Sequence, residues 1–251
     1  MNSPGGKEDM AGDDSVVGGN VGVVVKKEEN NLSVGGSRKE LMQRLVSSIL
    51  FIPLIAIVCF VPCGILCALS LAVYIAIGRE IFFIKGKGKY TIRIIAALAC
   101  LAGMGGFIYC RKVLGASACI FLICASSFTD IGAYCFGKAI GGPKLCPKIS
   151  PNKTWAGFWG GIILANIACY CLRNLFFALP GAEGFINLYS LVTVQYVIIF
   201  SVAGDLLESL FKRKIAVKDM GNTFPGHGGF LDRLDSLIVA SIALALKVAL
   251  F

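Results

Sequence analysis

Four aspartates, one glutamate, five basic side chains and the chain's only histidine fall within residues 204–236, GDLLESLFKRKIAVKDMGNTFPGHGGFLDRLDS. The acids are Asp205, Glu208, Asp219, Asp232 and Asp235, the bases are Lys212, Arg213, Lys214, Lys218 and Arg233, and the histidine is His227. Carboxylates bind hard divalent cations, and Lys and Arg hold phosphate oxygens. Both kinds of group at the edge of an apolar body point to metal-assisted chemistry on a phosphate. Asp205, Glu208 with Ser209, and Lys212 fall at i, i+3 or i+4, and i+7, so one helical face carries them in a column. Asp205 sits inside an apolar segment, where a charge is costly. Residues 214–229 contain Gly221, Pro225, Gly226, Gly228 and Gly229 and read as a loop. The next helix opens near Phe230 with Asp232 and Asp235 in its first turns, where the helix dipole favours acids. The dipole explains one of those aspartates but not Asp205. If the two helices are neighbours, Asp205 and Asp232 can reach one Mg²⁺, an ion that takes one or two carboxylates and completes its shell with water and phosphate oxygens.

Two upstream stretches offer similar chemistry. Ser126, Ser127, Asp130, Tyr134 and Lys138 recur at helical spacing. Asp130 is again an acid within an apolar run, which suits a site or an interhelical hydrogen bond. Further on, Ser150 as N-cap and Pro151 as first helical residue predict a helix start. Free N–H groups there, with Lys148 and Lys153, would suit an anion. Ordinary capping plus topology-setting lysines accounts for the same residues.

The elements that must position these groups follow from composition. The chain has 251 residues, 56% of them hydrophobic and only 16% charged, against about 25% charged in soluble domains. The expected fold is an all-α, polytopic membrane bundle. Apolar runs near 45–61, 63–84, 92–109, 113–136, 155–179, 186–207 and 235–251 are each close to the ~20 residues that cross a bilayer. They suggest about seven transmembrane helices, or eight to nine if long runs are broken. Pro62 makes a tight hairpin of the first pair, and Arg111-Lys112 joins the third to the fourth. The basic groups at 38–44, 85–93, 138–153 and 212–218 fall on one side under strict alternation, and the positive-inside rule makes that side, with the N-terminus, cytosolic. Arg111 and Lys112 are the exception.

Residues 1–40 are Gly-rich, mixed in charge and without period, and read as a disordered cytosolic tail with no cleavable signal. Residues 41–251 read as one catalytic domain. Of 24 basic and 15 acidic residues, the tail holds five and seven, so the membrane body is strongly basic and suits anionic head groups and substrates. Eleven cysteines form no CxxC pair, and one histidine leaves no zinc spacing. Cysteine here is a small buried hydrophobe.

Ser209-x-Phe211-Lys212-Arg213, Lys218-Asp219-x-Gly221 and Phe224-Pro225-x-His227-Gly228-Gly229-Phe230-x-Asp232-Arg233-Leu234-Asp235 together resemble the signature of the phosphatidate cytidylyltransferases, or CDP-diacylglycerol synthases, of bacterial type. Asp130-Ile131-Gly132-Ala133-Tyr134 and Ser150-Pro151-Asn152-Lys153-Thr154-Trp155 look like that family's other motifs. Ala156 stands where the family commonly has an acid and Asn152 where it commonly has Lys, so residue 156 is given no role. The resemblance implies a nucleotidyltransferase of phospholipid synthesis that joins CTP and phosphatidate, with Mg²⁺ as cofactor and a second cation left open. It implies that Asp205 and Asp232 bind metal, with Asp219 and Asp235 as further candidates, and that Lys212, Arg213 and Lys218 hold phosphates. His227 would contact phosphate, aid proton movement or orient the loop. Ser209, Asp130, Tyr134, Ser150, Lys153, Arg233 and Asp235 are the substrate-binding candidates. The implied setting is the inner cell membrane, with the lipid entering sideways to a cytosolic site. No nucleic-acid partner is expected, and a homodimer is left open. A polyprenol or phytol kinase shares the need for metal and basic groups but not the full signature. The run DGxxAR of CDP-alcohol phosphotransferases is absent, and a transporter would show an internal repeat that this chain lacks.

Overall fold

The computed structural model describes residues 57, 61–84, 89–179, 181–217, 219–221 and 229–250. The described residues all belong to one unit, Val46–Phe251. Its helices are α1 (Cys63–Phe83), α2 (Tyr90–Ile140), α3 (Trp155–Phe177), α4 (Glu183–Leu188), α5 (Leu191–Lys214) and α6 (Leu231–Leu250). Strands β1 (Lys144–Cys146) and β2 (Ser150–Thr154) pair as an antiparallel hairpin. The all-α membrane class holds: among the described residues, α1, α2, α3 and α5 are long and apolar enough to cross a membrane. The expected first span, 45–61, lies outside the described residues except at Ile57 and Val61.

The 51 residues of α2 are not one rod. Gly115 has φ 78° and ψ −170°, a conformation that strains any residue with a Cβ. Cys119 Sγ donates to Phe107 O at 3.8 Å, whereas twelve residues of unbroken helix span about 18 Å. The chain therefore doubles back at Gly115, and the two arms of α2 are the third and fourth expected spans. The joint was expected at Arg111-Lys112, and this is corrected: both residues are helical, because glycine, not the charged pair, supplies the positive φ.

A second correction concerns residues 150–154. Ser150 and Pro151 begin no helix; they lie in β2. Trp155 N donates to Pro143 O at 3.1 Å, closing the hairpin, and only then does α3 start. Its N-cap is Thr154, whose Oγ1 accepts from Gly157 N at 3.1 Å. The same Ser/Thr chemistry thus acts four residues later, where the backbone is no longer committed to strand pairing.

Small residues set the helix spacing. A Cβ on Gly157 would lie 2.6 Å from Ala133 O, and one on Gly161 2.7 Å from Thr129 O, so α3 packs backbone to backbone on the second arm of α2. A Cβ on Gly204 would lie 2.6 Å from Asp235 O, so α5 and α6 touch beside the acidic column. At one end of the bundle, Phe121, Phe176, Phe185 and Tyr189 form an aromatic knot, and Tyr189 Oη donates to Cys169 O at 2.9 Å. At the other end the polar segments meet, with Arg213 Nε donating to Ile149 O at 3.2 Å. Cys100, Cys110, Cys119 and Cys169 are buried, as expected of cysteines used for packing.

Candidate functional site

The column expected on α5 exists. Glu208 and Lys212, one turn apart, form an ion pair at 2.6 Å, and Lys212 also reaches Asp232 Oδ1 on α6 at 3.0 Å. One turn back, Asp205 pairs at 2.5 Å with Lys153 from β2. Because Gly204 lets α6 in, Asp235 joins this face: oxygens of Asp205, Glu208 and Asp235 all lie within 4.8 Å of one another. In these ion pairs two ammonium groups face Asp205, Glu208 and Asp232, with Asp235 close by. Carboxyl groups crowded in a part-buried place are relieved either by a retained proton, as in the hydrogen bonding between the Glu208 and Asp232 carboxyl groups, or by a further cation. Glu208 Oε1 is buried and has no hydrogen-bond partner among the described residues, which fits an open ligand position. Three convergent carboxylate oxygens suit a hard divalent cation.

Asp232 is held differently from its neighbour one turn on. Its Oδ2 accepts from Gly229 N at 2.7 Å and from Met220 N at 2.9 Å, while Oδ1 takes Lys212. Burial opposes its charge. Hydrogen bonding with the Glu208 carboxyl and the Gly229 N–H, the Lys212 charge and the Met220 N–H outweigh that, and hold its carboxyl below the ordinary range. The structure therefore seats Asp232 on the Lys212 ammonium and the amides of Met220 and Gly229, and it brings Asp205, Glu208 and Asp235 into direct convergence. Glu208 was legible as a member of the column but carried no other mark.

The other candidates separate into groups. Ser236 Oγ donates to Asp130 Oδ2 at 3.3 Å, which ties the second arm of α2 to α6. Asp130 lines a cleft of about 40 Å³ together with Lys153 and Asp205, and also a larger cavity of about 210 Å³. That larger cavity has Leu66, Val73 and Phe107 on its apolar wall and Ser126, Asp130 and Arg233 on its polar side. Ser126 Oγ is buried there without a hydrogen-bond partner among the described residues. Tyr134 is exposed and receives Lys138, whose Nζ donates to its Oη at 3.5 Å. Ser209 is half-buried on α5, Arg213 is exposed and holds Ile149 O, and Asp219 is exposed in the segment after α5. Ser150 lies in β2. Lys218 and His227 lie outside the described residues.

Two residues of the surroundings were missed as site candidates: Arg93 was read among the topology-setting basic residues, and Glu80, an acid within the expected span 63–84, was given no role. Glu80 of α1 accepts from Phe230 N at 2.8 Å and from Leu231 N at 3.1 Å, across some 150 positions. Arg93 is buried and its Nη1 donates to the carbonyls of Ile81, Phe82 and Ile84 at 3.0–3.1 Å, which satisfies the C-terminal end of α1. Nothing local in the sequence names the partners of either residue.

Comparisons with known proteins give the family. The chain is 44% identical over 137 residues to the phosphatidate cytidylyltransferase of Brucella suis biovar 1, covering 55% of this chain and 48% of that protein. It is 43% identical over 133 residues to the phosphatidate cytidylyltransferase of Bacillus subtilis, covering 53% and 48%. With the protein of that name from Staphylococcus epidermidis it shares 43% over 162 residues, covering 62% and 60%. The match spans about half the length of the first two relatives. The family described as the cytidylyltransferase family matches residues 93–251. That segment is more than half of the chain and contains Lys153, Asp205, Glu208, Lys212, Asp232 and Asp235, so the chain belongs to the cytidylyltransferase family.

Proposed function

We propose that this chain transfers the cytidylyl group of CTP to phosphatidate, giving CDP-diacylglycerol and pyrophosphate. The observation that carries the reading is the position of Asp130. It lines both the small cleft with Lys153 and Asp205 and the cavity whose other walls are apolar. A substrate with a phosphate head and acyl chains matches that pairing of a charged cleft with a greasy cavity. The relatives named above are phosphatidate cytidylyltransferases, the same activity for those proteins.

In the reaction a phosphatidate phosphate oxygen forms a bond to the α-phosphorus of CTP. The bond from that phosphorus to the bridging oxygen breaks, and pyrophosphate leaves with the electron pair. No covalent help from the protein is needed; positioning and charge neutralisation are. Lys153 and Lys212 are placed to take phosphate oxygens when substrate competes for them with Asp205 and Asp232. Arg233, on the polar side of the larger cavity, is placed to meet the lipid phosphate, and Ser126 Oγ can donate to it. Asp205, Glu208 and Asp235 are the carboxylates that would hold Mg²⁺, and Asp232, with Lys212 now on it, would join if that lysine moved to a phosphate. The ion would supply charge neutralisation to the triphosphate and the departing pyrophosphate. The site is read as cytosolic because the hairpin and the segment after α5 are the lysine-rich ones.

The test is pyrophosphate release by the purified full chain in phosphatidate-containing vesicles, with CTP and Mg²⁺. One pyrophosphate per CDP-diacylglycerol is expected, and none without phosphatidate. Release of CDP with phosphorylation of a polyprenol or phytol acceptor would instead identify a lipid kinase.

A further inference from the structure

We propose that Glu80, which lies before the segment matched by the family, is a positioning residue for the reaction site, anchoring the start of α6 and lying against Gly221 across the loop between α5 and α6. The inference rests on the function proposed above only for its kinetic consequence; the anchoring itself stands on geometry. Helix α6 begins with N–H groups that have no partner within the helix. Gly229 N goes to Asp232, and Phe230 N and Leu231 N go to the two oxygens of Glu80, at 2.8 and 3.1 Å. The glycines on either side of the loop are shaped around this carboxylate. A Cβ on Gly229 would lie 2.5 Å from Glu80 Oε2, and one on Gly221 3.3 Å from Glu80 Oε1. Met220, next to Gly221, donates its N–H to Asp232. One carboxylate from α1 thus lies against the last described residue before the loop's undescribed part and the first ones after it, and Asp232 spans the same two points from the other side.

Glu80 is itself held. It lies in the last turn of α1, whose terminal carbonyls are taken by the buried Arg93. Arg93 therefore fastens α1 to the first arm of α2, and Glu80 fastens α1 to α6. Two consequences follow. The electropositive start of α6 is already met by two carboxylates of the protein, Glu80 and Asp232, so the triphosphate must be held by Lys and Arg side chains and not by this helix end. Also, loosening Glu80 frees Phe230 N and Leu231 N, next to Gly229, whose N–H is one of the hydrogen bonds that aim Asp232 at Lys212.

The experiment uses the full chain in phosphatidate-containing vesicles with variants Glu80→Ala, Glu80→Gln and Glu80→Asp, alone and combined with Asp232→Asn. Glu80→Ala should lower kcat about tenfold to a hundredfold, with the KM for CTP changed less than threefold. Glu80→Gln keeps one acceptor and the side-chain shape and should recover part of the loss, while Glu80→Asp, a methylene short, should not. On the Asp232→Asn background, Glu80→Ala should add under threefold, because both act through the same loop. Exposed Arg79, one position away, should tolerate Ala. Hydrogen exchange at the amides of 229–231 should speed up in Glu80→Ala while that of α3 stays unchanged. A folded Glu80→Gln and Glu80→Ala pair with kcat within twofold of wild type, or losses that multiply fully with Asp232→Asn, would overturn the positioning role. Should the wild-type chain itself release no pyrophosphate, the proposed function fails, and the exchange measurement alone decides the anchor: unchanged amides at 229–231 refute it.

Discussion

Asp205→Asn is the sharpest probe of the carboxylate cluster. The substitution keeps size and hydrogen bonding and removes one charge. In the structure that charge serves two partners. Its Oδ2 lies 2.5 Å from Lys153 Nζ, and its side chain is 32% exposed against 20% for the lysine. Coulomb's law at an effective dielectric near 20 gives about 6–7 kcal/mol at that separation, and solvent screening of groups this exposed reduces it to about 1–3 kcal/mol. The second partner is the cation that Asp205 would share with Glu208 and Asp235. Losing one preorganised charge toward the transition state costs about 2–4 kcal/mol. The two effects share one carboxylate and do not simply add, so a total of about 3–4 kcal/mol is expected, a rate loss on the order of a hundred- to a thousandfold. The assay is pyrophosphate release across a Mg²⁺ titration. Asp205→Asn should raise the half-saturating Mg²⁺ several-fold. Lys153→Met breaks the ion pair but leaves the carboxylate, so it should cost about tenfold and leave the Mg²⁺ curve in place. An Asp205→Asn protein with near-normal rate and unchanged Mg²⁺ dependence would refute the cluster as a cation site.

Three further outcomes are expected. Lys212→Met leaves Glu208 and Asp232 without the ammonium that joins them and should lower kcat about a hundredfold; activity within threefold of wild type would count against the column. Gly161→Ala puts a methyl 2.7 Å from Thr129 O, and forcing α3 off α2 should cost about 1–3 kcal/mol and lower the melting temperature in detergent by several degrees; an unchanged melting curve would show that the helices can part freely. A cysteine placed at Lys148 in a Cys-free chain should resist an impermeant maleimide added outside intact cells and react after permeabilisation; labelling from outside would invert the topology.

Much of the site was legible because helix phase turns spacing into geometry. Asp205, Glu208 and Lys212 had to share a face once the segment was helical, and the ion pair at 2.6 Å between the last two is what i, i+4 spacing dictates. Asp130 was legible by cost, as a charge in an apolar run that needs a reason. Local turn chemistry was less readable. Arg111-Lys112 and Gly115 both marked a break between spans, and only the positive φ decided between them. Ser150-Pro151 is a good helix start by composition, and strand pairing with β1 displaced it to Thr154. A third class could not be read from spacing at all, because it depends on how one helix is rotated against another. Asp232 and Asp235 are nearly one turn apart at the head of the same helix, and both suit the dipole there. What separates them is Gly204, which seats α5 against the backbone of Asp235 and turns that side chain toward Asp205 and Glu208. Asp232 is left facing Lys212 and the loop amides. The rotation is held at the top of α6 by Glu80, from a helix some 150 positions away. Two aspartates with the same local signals thus come to have different surroundings, and the difference is made by a missing side chain on one neighbour and a carboxylate on another.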